Sequence, residues 1–168
     1  MVISQLVPDS DPEPIHARIR QVTKTQATIV IELWTWNGTW KTKTGYVMVV
    51  EPGTHILPDG RVLWAVQPGT LNHNAQTHAF PTSYSETPVV LAQSQTMNDN
   101  PPIITRVFDV TTTGYSMKLD ENETMDDRDG GAHRSETMGV VVLGQVLKEC
   151  DVTYSVERRC KWIRKSRL

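Results

Sequence analysis

The feature that most constrains this chain is that it holds one pattern twice. Ile15 to Gly53 reads IHARIRQVTKTQATIVIELWTWNGTWKTKTGYVMVVEPG, and Ile103 to Gly144 reads IITRVFDVTTTGYSMKLDENETMDDRDGGAHRSETMGVVVLG. Both open on Ile-x-x-Arg, pass through an alternating stretch, and close on a threonine and a glycine ahead of a valine run. A recurrence at roughly 90 residues is too long for a solenoid unit and fits two copies of a small domain. The copies differ in their connection. Asn37-Gly38 in the first stands where the second has an acidic loop with Asp120, Glu121, Glu123, Asp126, Asp127 and Asp129, ending in Gly130-Gly131. At 168 residues the chain has length for one large or two small domains, and the repeat selects the second.

Each copy reads as β-strands. Ala27, Ile29, Ile31 and Leu33 fall on one face of an alternating run, with Thr28, Val30, Glu32, Trp34 and Trp36 on the other. Asn37-Gly38 predicts a two-residue hairpin, which leaves Trp34 and Trp36 facing away from the core. In the second copy Val107, Val110, Tyr115, Met117 and Leu119 supply a strand pair around Thr113-Gly114, and Met138 to Leu143 returns as a strand. Abundant threonine and valine, regular glycine and proline breaks, and no sustained helical period make the chain all-β, with helix nearly absent. The expected organisation is a first, N-terminally incomplete copy at 1–53, a linker hairpin at 54–69 around Pro58-Asp59-Gly60, a second copy at 70–145, and a C-terminal strand with a basic tail at 146–168. The second copy has a strand-like segment, Thr77 to Phe80, with no counterpart in the first. That predicts an open sheet edge, for which Val152 to Val156 is the expected cover.

Several function classes are disfavoured. A net charge of −2 gives no reason to expect nucleic acid or an anionic membrane as partner. No apolar run approaches the roughly 20 residues of a membrane span. His16, His55, His73, His78 and His133 show no metal-ligand spacing, the acidic loop is not a recognised calcium loop, and no nucleophile motif or phosphate-cradling glycine loop is present. Neither an enzyme nor a cofactor is expected. Cys150 and Cys160 are a possible disulfide.

The second copy, ETPVVLAQSQ…PPIITRVFDVTTTGYSMKL…GVVVLG, resembles the H-type lectin domain of snail agglutinins and of the discoidin C-terminal domain. The likeness spans about 70 residues and rests on Pro88 before its strand, Arg106 opening the next, and Val110, Thr113, Gly114 and Tyr115. It also resembles tandem repeats of bacterial surface and phage-associated proteins in its ending, His133, Glu136 and Thr137. The resemblance implies tandem antiparallel β-sandwiches that assemble as a homo-oligomer, a trimer, and bind glycans of the N-acetylgalactosamine type between subunits. Its arginine falls on Arg18 and Arg106, and its sugar-stacking tryptophan on Trp34 but on Asn122 in the second copy. Sugar binding needs an aromatic face with planar polar groups beside it, so the expected carbohydrate residues are Arg18, Trp34, Trp36, Arg106, Glu121, Asn122 and Glu123. The expected role is an extracellular, cell-surface or virion adhesion module. The alternative is a structural virion protein, such as a phage decoration, tail or fibre component, contacting other virion proteins.

Overall fold

The computed structural model describes residues 1–7, 15–33, 44–99, 102–121 and 134–147, together with the backbone pairing of 150–151 and 159–160. Every regular element among them is a strand. They are β1 (Val2–Leu6), β2 (Ile15–Val22), β3 (Ala27–Leu33), β4 (Gly45–Val49), β5 (Gly53–Ile56), β6 (Val62–Val66), β7 (Thr70–Leu71), β8 (Gln76–Ala79), β9 (Val89–Ser94), β10 (Ile103–Phe108), β11 (Gly114–Glu121), β12 (Glu136–Gly144), β13 (Cys150–Asp151) and β14 (Arg159–Cys160). All pairings are antiparallel. The all-β expectation holds.

The repeat in sequence is a repeat in pairing. In the first copy β1 pairs with β4 and β2 with β3; in the second, β9 pairs with β12 and β10 with β11. Registers agree as well. Ile15 faces Leu33 and Arg18 faces Val30, while at the matching positions Ile103 faces Glu121 and Arg106 faces Lys118. The same spacing sets Val2 and Ser4 against Val90 and Ala92, so their partners Val49 and Val47 correspond to Val142 and Val140. A one-residue slip in either hairpin would turn every side chain to the opposite face, so common register puts matching residues on the same side of their strands.

The principal core belongs to the second copy. Leu71, Tyr115, Met117, Leu119, Met138, Val140 and Val142 are buried there with Phe80 and Tyr84. Side chains of this size stabilise by about 1.5–3 kcal/mol each when fully buried. Phe80 stacks on Tyr115 at 5.4 Å and meets Tyr84 edge-on at 5.1 Å. Gly114 starts β11 because β8 runs against it: a Cβ there would stand 2.5 Å from the His78 carbonyl oxygen. The turn before it is held by the Thr111 hydroxyl, which accepts from the N–H groups of Thr113 and Gly114.

A smaller cluster, Met1, Ala65 and Val141, packs residues of both copies together, with Ile3, Met48 and Leu63 against it. β12 is therefore covered on both faces, Val140 and Val142 on one and Val141 on the other.

The hairpin expected at 54–69 forms, but it is not a linker. Its turn closes through Leu57 N–H to Arg61 O and Gly60 N–H to Leu57 O, both 2.9 Å. Its second strand, β6, then pairs with β12 along Val62–Val66. The physical reason lies in β6 itself, whose Val62 and Ala65 are buried and whose Trp64 and Val66 pack on the main core. The hairpin is thus part of the second copy's sheet. Val152 to Val156, expected to cover the first copy, lies outside the described residues. The backbone register of β13 and β14 sets Cys150 opposite Cys160.

Candidate functional site

Between the copies lies a cleft of about 680 Å³, walled by β1 and β2 on one side and β9 and β10 on the other. It mixes apolar wall residues such as Ile3, Val90 and Ile103 with polar ones, of which Ser4, His16, Arg18, Gln93 and Thr105 matter most. The polar groups are held in place by a network that crosses from one copy to the other.

Two glutamines of the second copy act as strand substitutes. Among the described residues β1 pairs with β4 on one edge, and the backbone groups of its other edge must find partners elsewhere. The Gln95 side-chain amide accepts from Val2 N–H at 2.9 Å and donates to Val2 O at 2.8 Å. The Gln93 amide accepts from Ser4 N–H at 2.7 Å and donates to Ala17 O at 2.8 Å, so it ties β1 to β2 as well. Gly139 makes this possible. A Cβ there would stand 2.7 Å from the Gln95 side chain that lies over it.

At the end of the same seam Arg18 is 1 % exposed and Glu136 is fully buried, with Arg18 Nη2 2.6 Å from Glu136 Oε1. Glu136 also accepts from Asn98 N–H at 2.8 Å and from the Thr96 hydroxyl. Arg18 Nη1 lies 3.5 Å from Glu32, whose other oxygen is 3.1 Å from His16. Both carboxylates thus serve one guanidinium, as a buried charge requires. The pair joins residues 118 apart in the chain and locks the first copy to the second.

The expected sugar residues divide into three groups. Arg18 is at the cleft, but its guanidinium is spent on Glu136 and Glu32 and not on an open surface. Arg106 is exposed and bonds Asp120 at 2.6 Å. Glu121, expected beside it, pairs with Ile103 at an odd offset from Arg106's partner Lys118, so it points to the opposite face of the hairpin. The two are not brought together. Trp34, Trp36, Asn122 and Glu123 lie outside the described residues. β3 does end at Leu33 opposite Ile15, a cleft residue, and Trp34 is next in sequence.

Sequence reasoning did not single out Gln93, Gln95 or Thr96 at all, and marked Glu136 only within the ending it shares with His133 and Thr137. Gln93-Ser-Gln95 leaving a strand was the available signal. No group of three metal-ligating side chains occurs among the described residues, and no helix there is long and apolar enough to cross a membrane. Away from the cleft, burial raises Tyr84 and Tyr115 to about 12 and lowers His78, which stacks on Tyr115 at 5.4 Å.

No family model matches the chain, and no solved structure matches it. Among curated proteins, halomucin of Haloquadratum walsbyi (strain DSM 16790 / HBSQ001) is 31% identical over 136 residues, which is 77% of this chain and 1% of halomucin. The chain therefore spans about 1% of the length of this relative.

Proposed function

We propose that the chain is a non-catalytic carbohydrate-binding module of a cell surface, with the inter-copy cleft as its binding site. The observation that carries this reading is the cleft itself. It combines amide, hydroxyl and imidazole groups with aliphatic walls, and Trp34 follows in sequence the strand β3 that pairs with its wall strand β2. A pyranose offers hydroxyls to planar polar groups and an apolar face to carbon, which is the chemistry such a lining serves. Ser4, Gln93 and Arg18 are pre-set by bonds across the seam and His16 by Glu32, so little ordering of these groups is needed on binding. Halomucin is a surface-associated protein, and the likeness to it is consistent with a surface module.

A glycan array followed by calorimetry tests the proposal. Discrete saccharide binding is expected, weakened at least tenfold in Kd by Thr105→Trp, which fills the cleft, and by Trp34→Ala. Absence of any saccharide binding, or equal affinity in both variants, overturns it. A second reading, an assembly module without a ligand, is favoured by one specific observation, the outer edge of β4, which no strand covers among the described residues.

A further inference from the structure

β4 is an edge strand of unusual composition. Tyr46 is 73% exposed, Val47 52% and Val49 74%. Among the described residues it pairs with β1 alone. Val50 N–H donates to Met1 O at 2.9 Å, so Val50 and its alternates Met48 and Tyr46 direct their backbone groups to β1. By alternation, the N–H and C=O groups of Val47 and Val49 point outward. Natural edges are blunted by lysine, proline or bulges; Tyr46-Val-Met-Val-Val50 has none of these.

The second copy shows what this position accepts. The matching strand, β12, carries β6 antiparallel on the corresponding edge, and its Val140 and Val142 are fully buried. The chain's own β6 is committed there. What fits the β4 edge by this comparison is another antiparallel strand with apolar residues opposite Val47 and Val49.

We infer that β4 pairs with β4 of a second copy of this chain, antiparallel about a two-fold axis near Met48. This pairing sets Val47 against Val49 of the partner subunit, Tyr46 against the partner's Val50, and Met48 against the partner's Met48. Every opposed pair is apolar, with no charge buried and no donor missing. The strand is self-complementary, as an isologous interface demands, and pairing joins two two-stranded sheets into a four-stranded one. A two-fold seam gives a dimer, and so departs from the trimer that the H-type lectin resemblance implies. It does not rest on the sugar reading, because the cleft lies on the other side of β1.

Sedimentation velocity of the full chain over a hundredfold range of concentration tests the inference. A monomer–dimer equilibrium is expected. Val49→Lys should shift it to monomer, and Val47→Pro should do the same by removing an outward N–H. Thermal unfolding of the dilute monomer should be unchanged by Val49→Lys, which separates loss of the seam from loss of the fold. A Met48→Cys variant should form an intermolecular disulfide under mild oxidation. A chain that stays monomeric throughout, a trimer, or a dimer indifferent to both edge substitutions overturns the inference.

Discussion

The same strand occurs twice with opposite fates. β12 has β9 on one edge and β6 on the other, and Val140 and Val142 are fully buried. β4 has β1 on one edge and no described strand on the other, and the matching Val47 and Val49 are 52% and 74% exposed. Hydrophobic pattern and register are shared, so neither accounts for the difference. What differs is the company. The second copy gathers β5 to β8 around its four repeated strands, and these deliver Leu71, Phe80 and, packed against them, Trp64. Among the described residues the first has four strands, and it relies on the second through Gln93, Gln95 and Glu136. Burial of a strand is thus a property of its neighbours.

The largest expected effect comes from cutting the link between the copies. Glu136→Ala removes the 2.6 Å partner of the buried Arg18, and removal of one partner from a buried pair costs about 3–5 kcal/mol. Urea unfolding should show that loss, with the first copy melting ahead of the second. A change within experimental error would mean the seam is not held by this pair. Arg106→Ala is the matching control: the Arg106 side chain is 58% exposed, so about 0–1 kcal/mol is expected.

A smaller effect separates the two valine runs. Val142→Ala removes buried carbon from a filled core and should cost about 2 kcal/mol. Val49→Ala at the matching exposed site should cost less than about 0.5 kcal/mol in the dilute monomer. Equal losses would show that the first copy has a core of its own.

A further effect is one of pH, and it belongs to the second copy. Burial lowers His78, so its contribution is present above its ordinary value of 6.5 and is lost as pH falls through that value toward the lowered one. Tyr84 and Tyr115 are raised to about 12, so their contribution holds below pH 10 and is lost as pH rises from 10 to 12. Urea midpoints should be flat between these limits and fall outside them. His78→Phe should remove much of the acid fall without touching the alkaline one; an unaltered acid limb would exclude His78 as its source.

The repeat, the all-β class and the hairpin around Thr113-Gly114 were readable in the sequence because each depends on local period and turn chemistry, while the hairpin expected at Asn37-Gly38 lies outside the described residues. Ile15 and Ile103 open the same pattern, and their hairpins pair in the same register. The seam was not readable. Arg18 and Glu136 meet across 118 residues, and nothing in the local pattern around Arg18 distinguishes it from Arg106, which stays at the surface. Gln95 reads as an ordinary polar residue, yet it replaces a strand for Val2 because Gly139 lets it lie flat. The hairpin at Pro58-Asp59-Gly60 was visible, but its place beside β12 follows from the burial of Val62 and Ala65, which a turn signal does not encode.

The central claim is that the second copy is a complete folding unit and the first is not. Expressing residues 53–147 and residues 1–52 as separate polypeptides tests it most directly, with amide exchange and thermal unfolding as readouts. The account predicts that 53–147 unfolds cooperatively and protects the amides of β12, while 1–52 alone shows no cooperative transition. A folded 1–52, or a 53–147 that has no protected core, would contradict it.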